Sequence, residues 1–187
     1  MNMSMNLYCK SCNSYQWHSP SMPNNGNNQH SMYNWYPHQY NWNPSQHVND
    51  RLIQLKDYGP NPFVVNMDQA AEQNRNYRTI LWTGNHLQVA LMSINVGDDI
   101  GLEVHPGTDQ FIRIEDGEGL VRMGDRQDNL TIEQRVNDDT AIMVPAGTWH
   151  NIINTGREPL KLYTIYAPPE HPFGTIQETK AIAMAAE

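Results

Sequence analysis

Two short stretches, one around His105 and one around His150, each set a histidine beside a Pro-Gly or Pro-x-Gly turn at the edge of a strand-like run. The first reads Gly97-Asp-Asp-Ile-Gly-Leu-Glu103-Val-His105-Pro-Gly-Thr-Asp-Gln110 and runs on to Gly117. The second reads Asp139-Thr-Ala-Ile-Met-Val-Pro145-Ala-Gly147-Thr-Trp-His150-Asn-Ile-Ile-Asn154. Turn residues at this density interrupt any long helical period. Strand-like runs occur at 63–65, 78–82, 87–94, 102–105, 110–115, 119–123, 141–144, 150–153 and 160–166. Many short strands at such spacing predict an all-β antiparallel sandwich or barrel. The polar stretch 68–76 is expected to form a helical turn or two, and the Ala-rich end 179–187 a short helix.

Composition changes sharply near residue 48. Before it there is no Asp or Glu, and Lys10 is the sole Lys or Arg. Asn, Ser, Met, Pro, Tyr, Trp and His fill the space, and aliphatic residues are nearly absent, so little apolar area is available to offset ordering entropy. The reading is a disordered, polar-aromatic tail over 1–47 able to mediate self-association, a barrel over 48–170 and a C-terminal extension over 171–187. His18, His30, His38 and His47 fall in the tail and read as solvated spacers. Cys9 and Cys12 read as free thiols, because a structural zinc site needs four ligands and no second pair of suitable spacing follows.

A net charge of −8 over 187 residues gives a nucleic-acid role no electrostatic support. No apolar run approaches the roughly 20 residues of a membrane helix. The N-terminus carries neither the basic nor the apolar region of a secretory signal, so a cytoplasmic location is expected.

Alternate residues on a strand share a face, so Glu103 and His105 point the same way, about 7 Å apart along the chain. If that face is the barrel interior, the two are near enough to grip one ion. On the next strand Gln110 shares a face with Ile112 and Ile114. His150 shares one with Ile152 and Asn154 and follows the Pro145-x-Gly147 turn. Arg113 and Lys161 read as solvated outer-face charges, Glu115, Asp116 and Glu118 as solvated turn acids, and Trp82 and Trp149 as packing residues. Tyr163 and Tyr166 lie on opposite faces of one strand, so at most one lines the interior. His86 and His171 have no partner visible in the sequence.

These segments resemble the two motifs of the cupin superfamily, Gly-x5-His-x-His-x3-4-Glu-x6-Gly and Gly-x5-Pro-x-Gly-x2-His-x3-Asn. The second is matched from Asp139, in place of the leading Gly, through Pro145, Gly147, His150 and Asn154. In the first, Gly97, His105 and Gly117 match, while Glu103 stands for the first His and Gln110 for the Glu. The resemblance covers about residues 60–170 and implies a cupin-type jelly roll (a double-stranded β-helix). The stretches 101–119 and 167–172 are also similar to bacterial single-domain cupins labelled as related to mannose-6-phosphate isomerase, itself an analogy at the level of fold.

Carried over residue by residue, the resemblance implies a metal site of Glu103, His105, Gln110 and His150. One carboxylate, two imidazoles and an amide carry the same single negative charge as the family's three His and one Glu. They suit a divalent transition ion such as Zn, Mn, Fe, Co or Ni. An alternative takes Glu103, His105 and His150 as the ligands, with Gln110 bonding to water on the ion. A competing arrangement has Glu103 and Gln110 hydrogen-bonded to each other in an empty pocket, although a buried unpaired carboxylate is costly.

Two functional readings follow. The first is a metal-dependent enzyme acting on a small polar molecule, a sugar or sugar phosphate. Isomerisation is favoured over dioxygenation, with Glu103 as base only if it is not a ligand. The second is a binding or structural module of a bacterial spore coat or similar assembly, held together through the tail. A homodimer is expected because cupin barrels often pair or exchange edge strands, with 63–65 as the candidate exchanged segment.

Overall fold

The computed structural model describes residues 52–186. The readings of Cys9, Cys12 and the tail histidines lie outside them. Helix α1 (Met67–Gln73) precedes eight strands: β1 (Arg78–Thr83), β2 (Gln88–Ile94), β3 (Asp109–Asp116), β4 (Glu118–Gly124), β5 (Ile132–Asn137), β6 (Ala141–Val144), β7 (Trp149–Asn154) and β8 (Leu160–Ala167). A two-residue strand β9 (Ile176–Gln177) and helix α2 (Lys180–Met184) follow. Two antiparallel sheets result, one in the order β6-β3-β8-β2-β1-β9 and a smaller one in the order β5-β4-β7. The architecture is the expected jelly roll.

Alternation explains why these runs become strands of a two-layer fold. In β3 every second residue, Gln110, Ile112 and Ile114, is buried. In β7 the same holds for His150, Ile152 and Asn154. The main core lies between the sheets, with Met92, Ile94, Ile112, Ile114, Leu160 and Leu162 facing Val121, Val136 and Ile152. Non-local antiparallel pairing dominates: β8 runs between β2 and β3, with Thr164 paired to both Ala90 and Ile112.

The outer face of the larger sheet is covered in part by the chain before β1. Ile53, Leu55, Tyr58, Phe63, Val65 and Met67 pack with Ala70 and Ala71 of α1 against Leu81, Leu91 and Tyr163. Residues 63–65 are therefore not a strand. Phe63 and Val65 turn onto their own sheet while Val64 is 97% exposed. The same cover overturns the solvated reading of Lys161, whose Nζ is buried and donates to the carbonyl of Asn74, at the end of α1, and to Ser93 Oγ at 3.0 Å. A cation suits a helix C-terminus, where unpaired carbonyls concentrate negative charge.

Two motif positions owe their residue type to the backbone. Gly117 has φ +98°, and a side chain there would approach the Leu160 Cα to 3.2 Å. Asp139 has φ +64°, a conformation that Gly adopts freely and Asp tolerates better than most. That accounts for Asp in place of the motif's leading Gly.

The 102–105 run is not a regular strand either. Glu103 forms an isolated bridge with His150, and Gly97 and Gly101, both at positive φ, break the ladder around it. Within the 171–187 extension, β9 joins the sheet by pairing with β1, and α2 buries Ala183 in the main core. Among the described residues, no helix is long and apolar enough to cross a membrane.

Leu162 is central to the inter-sheet core and fully buried, whereas Met143 is 64% exposed. Leu162→Ala should lower unfolding stability by about 2–5 kcal/mol. Met143→Ala should change it by less than about 0.5 kcal/mol. Urea unfolding of the two variants checks the contrast.

Candidate metal centre

The site is built from the backbone outward. Glu103 N donates to His150 O at 3.0 Å and His150 N to Glu103 O at 2.9 Å, a hydrogen-bonded antiparallel pair. Residues so paired project their side chains to one face. The Pro145–Thr148 turn is tied to the first motif as well, through Gly147 N donating to His105 O at 2.9 Å. Two segments distant in sequence are thus locked together within one residue of each donor.

Glu103 Oε1 lies 3.2 Å from His150 Nε2 and 3.4 Å from His105 Nε2. One ligand atom from each of the three residues falls within 4.8 Å of the others. His150 Nδ1 is 3.0 Å from the Thr148 carbonyl. A carbonyl only accepts, so Nδ1 carries a proton, and in the neutral ring Nε2 is the atom left with a lone pair. His105 Nδ1 is 3.2 Å from Glu170 Oε1, which assigns its ring the same way. Glu170 is itself held by Thr108, whose Oγ1 donates to Oε2 at 2.7 Å. A carboxylate or carbonyl behind the imidazole is the support that metal-binding histidines ordinarily have.

Burial works against the charge on Glu103, but attraction to His105 and His150 outweighs it and holds the carboxyl at about 2. His105 is affected oppositely: burial pushes its pKa down, Glu103 and Glu170 push it up, and the net shift is upward. Despite their short distances, His105 Nε2 and His150 Nε2 are buried without a hydrogen bond of proper geometry among the described residues.

Gln110 is buried on the same sheet face, beside Tyr166 and Val144. Its Nε2 donates to Thr164 Oγ1 at 3.0 Å, leaving Oε1 buried and unpartnered among the described residues. The amide is therefore spent on Thr164, and the Glu103–Gln110 hydrogen bond of the empty-pocket arrangement does not form.

The donor set fits a metal ion. An anionic oxygen, two imidazole nitrogens and an amide oxygen are what a divalent transition ion accepts. The unpaired buried atoms are of that kind.

The remaining sequence candidates divide cleanly. Tyr166 is the inward tyrosine, its ring edge-on to His105 at 5.6 Å, while Tyr163 faces outward near Phe111. Arg113 pairs with Glu115 and Asp139 on the outer side. The Glu115 side chain is largely buried beside Arg113, so it is not a solvated turn acid. Trp82 donates to Asn61 O at 2.8 Å, and Trp149 is half-buried at the end of β7. His86 is exposed.

Glu170 and His171 were not singled out as pocket residues from the sequence. A signal for both existed: β8 ends where Ala167 pairs with Asp109, so the residues after it must cross the mouth near Gln110.

A cupin-domain family model matches residues 90–166. The Bacillus subtilis protein YrkC is 64% identical over 138 residues, 74% of this chain and 74% of YrkC. The chain belongs to the cupins. A second relative, the Acanthamoeba polyphaga mimivirus protein L612, is 42% identical over 115 residues, 61% of this cupin and 70% of L612. The crystal structure of BH2720 from Bacillus halodurans is 65% identical and covers 70% of this cupin and 98% of BH2720, with a TM-score of 0.69.

Two measurements test the supports of the site. Glu170→Gln should lower the cupin's affinity for Zn2+ by about 10–100-fold, read by competition with a chelating dye. Burial, aided by the nearby Arg78 charge, pushes His171 from 6.5 down to about 4. A folded pKa below the unfolded one gives stability that is complete above pH 6.5 and lost as pH falls toward 4, up to about 3 kcal/mol. His171→Asn, which cannot titrate there, should remove that part of the slope in unfolding curves measured across the window.

Proposed function

We propose that this cupin binds one divalent transition metal ion through Glu103, His105 and His150, with Gln110 as fourth donor, and acts with it on a small polar molecule such as a sugar. One observation carries the reading: among the described residues His105 Nε2, His150 Nε2 and Gln110 Oε1 are buried without a hydrogen bond of proper geometry, in a barrel that spends hydrogen bonds on their other polar atoms. When bound, such an ion supplies Lewis-acid polarisation of a carbonyl or hydroxyl oxygen. Zn, Mn, Fe, Co and Ni all accept this mixture of nitrogen and oxygen donors.

The chain's own residues supply orientation, charge and exclusion of water. Glu170 and the Thr148 carbonyl fix the two imidazole rings, Glu103 offsets part of the ion's charge, and Ile80, Ala90 and Ile112 form a dry wall on the same sheet face. For aldose–ketose isomerisation a base is also required. Glu103, held at about 2, is too weak a base at neutral pH. Glu170 is the carboxylate placed beside the cluster that retains solvent access, its side chain 31% exposed.

The spore-coat reading draws its support from the composition of residues 1–47. For a homodimer, support comes from an outer-face row, Met143, Phe111, Ile165, Val89 and Trp82, that crosses five paired strands. The reading of 63–65 as an exchanged strand draws none, since those residues pack on their own sheet.

Metal analysis of the untagged full chain, and of a chain starting at Val48, should find about one equivalent of transition metal in both. His105→Ala and His150→Ala should lose it, together with any aldose–ketose interconversion. Metal that leaves with residues 1–47 would overturn the site, and interconversion indifferent to both histidines would overturn the isomerase.

A further inference from the structure

The C-terminal extension supplies none of the four proposed ligands, yet its helix α2 packs where the backbone of the site is least regular. Residues 97–103 carry Glu103 but belong to no regular strand, and Gly97 and Gly101 leave them without a side-chain anchor at two points. One edge of this segment is bonded to β7. The other meets α2 and Tyr77.

The contacts on that second edge are polar and specific. Lys180 Nζ, at the start of α2, donates to Asp98 Oδ1 at 3.0 Å and to Asp99 Oδ1 at 2.5 Å. Asp99 Oδ1 also accepts from Gly101 N at 2.6 Å, so this carboxylate joins the lysine to the main chain two residues before Glu103. Tyr77 Oη donates to Ile100 O at 2.8 Å, and Tyr77 N donates to Glu178 O just ahead of α2. At the far end of the helix Met184 covers Gly101, its Sδ 3.7 Å from where a Cβ would stand. Ala183 anchors the helix in the main core, where Tyr77 and Ile100 are also buried.

Folding gains little from this ion pair. The Lys180 side chain is 26% exposed and that of Asp99 32%, and pairs with such solvent access add little to stability. What Lys180 holds is direction. Asp98 and Asp99 are adjacent like charges, and Asp99 meets Gly101 N only while its carboxylate points along the segment. Without the cation between them the two carboxylates repel each other toward solvent, and the segment is left to its bonds with β7 and Tyr77. Donors of a metal site must be held within about 0.5 Å of their working positions, so slack two residues before Glu103 falls on the ligand itself.

We infer that α2 is a brace for the metal centre and that Lys180 is a positioning residue, acting through Asp99 on the segment that aims Glu103. This inference rests on the metal reading and extends it to a part of the chain that holds no ligand.

Titrating the full chain with Co2+ reads both an affinity and, in the visible absorption bands, a signature of ligand geometry. Lys180→Met should weaken Co2+ binding about fivefold and shift the bands. Lys180→Arg, which keeps the cation, should return both toward wild type. Asp99→Asn should weaken binding by a similar factor, and the double variant with Lys180→Met should lose no more than the worse single one, because the two act as a unit. Arg126→Met, which breaks the exposed pair with Asp128, should move neither affinity nor bands. Affinity and bands unchanged in Lys180→Met, whatever its unfolding midpoint in urea, would overturn the brace. Additive losses in the double variant would overturn action through Asp99, and failure of the wild type to bind Co2+ would take the metal reading with it.

Discussion

The pair of backbone hydrogen bonds between Glu103 and His150 is the constraint on which the site depends. Residues 97–103 belong to neither sheet as a regular strand, yet they follow β7 closely. Gly97 N donates to Asn154 O, Asn154 N to Asp98 O, and Ile100 N to Ile152 O before the chain reaches Glu103. This irregular ladder ends the gap between the two sheets and sets a carboxylate opposite an imidazole at the moment of closure. Asn154 completes the motif's work further along, its Nδ2 donating to Ile94 O and Glu158 O and thereby joining β7 to the larger sheet. Motif residues that touch no ligand are thus explained by the backbone groups they satisfy.

Placing an acid and two imidazoles in a barrel interior is not a route to stability. Buried charges lose hydration, and their mutual attraction repays that loss only with good geometry and further hydrogen bonds. Here each imidazole is committed through Nδ1 to an acceptor behind it, and the carboxylate lies within 3.4 Å of both Nε2 atoms, where it is stabilised while the rings are protonated. The arrangement freezes tautomer and ring orientation before anything binds. Such preorganisation is what a metal site requires, because the ligands must be aimed and deprotonated together.

Much of this was legible in the chain. Alternation grouped the inward residues of β3 and of β7 and set Tyr163 and Tyr166 on opposite faces of β8, and motif spacing brought Glu103, His105 and His150 to one end of the barrel. Other features were silent for physical reasons. β5 carries Glu133, Gln134 and Arg135 in an exposed run with a single buried Val136, so no apolar period marks it as a strand. Parity placed Lys161 on the outer face, as found, but parity does not reveal that α1 and the chain before β1 cover that face. Arg78 heads a strand of apolar neighbours, and its long side chain turns inward against Tyr77 and Gln177, a choice made by tertiary packing.

Glu103 stands where the cupin motif has its first His and Gln110 where it has Glu, and this changes how the side chain at 110 is fixed. A carboxylate at the 110 position would present oxygen whichever way it turned; an amide must be oriented. Here Gln110 Nε2 donates to Thr164 Oγ1 at 3.0 Å. The orientation adopted leaves Oε1 without a partner among the described residues, at a cost of about 1–3 kcal/mol for a buried acceptor, which a cation or a hydrogen-bond donor within its reach would remove.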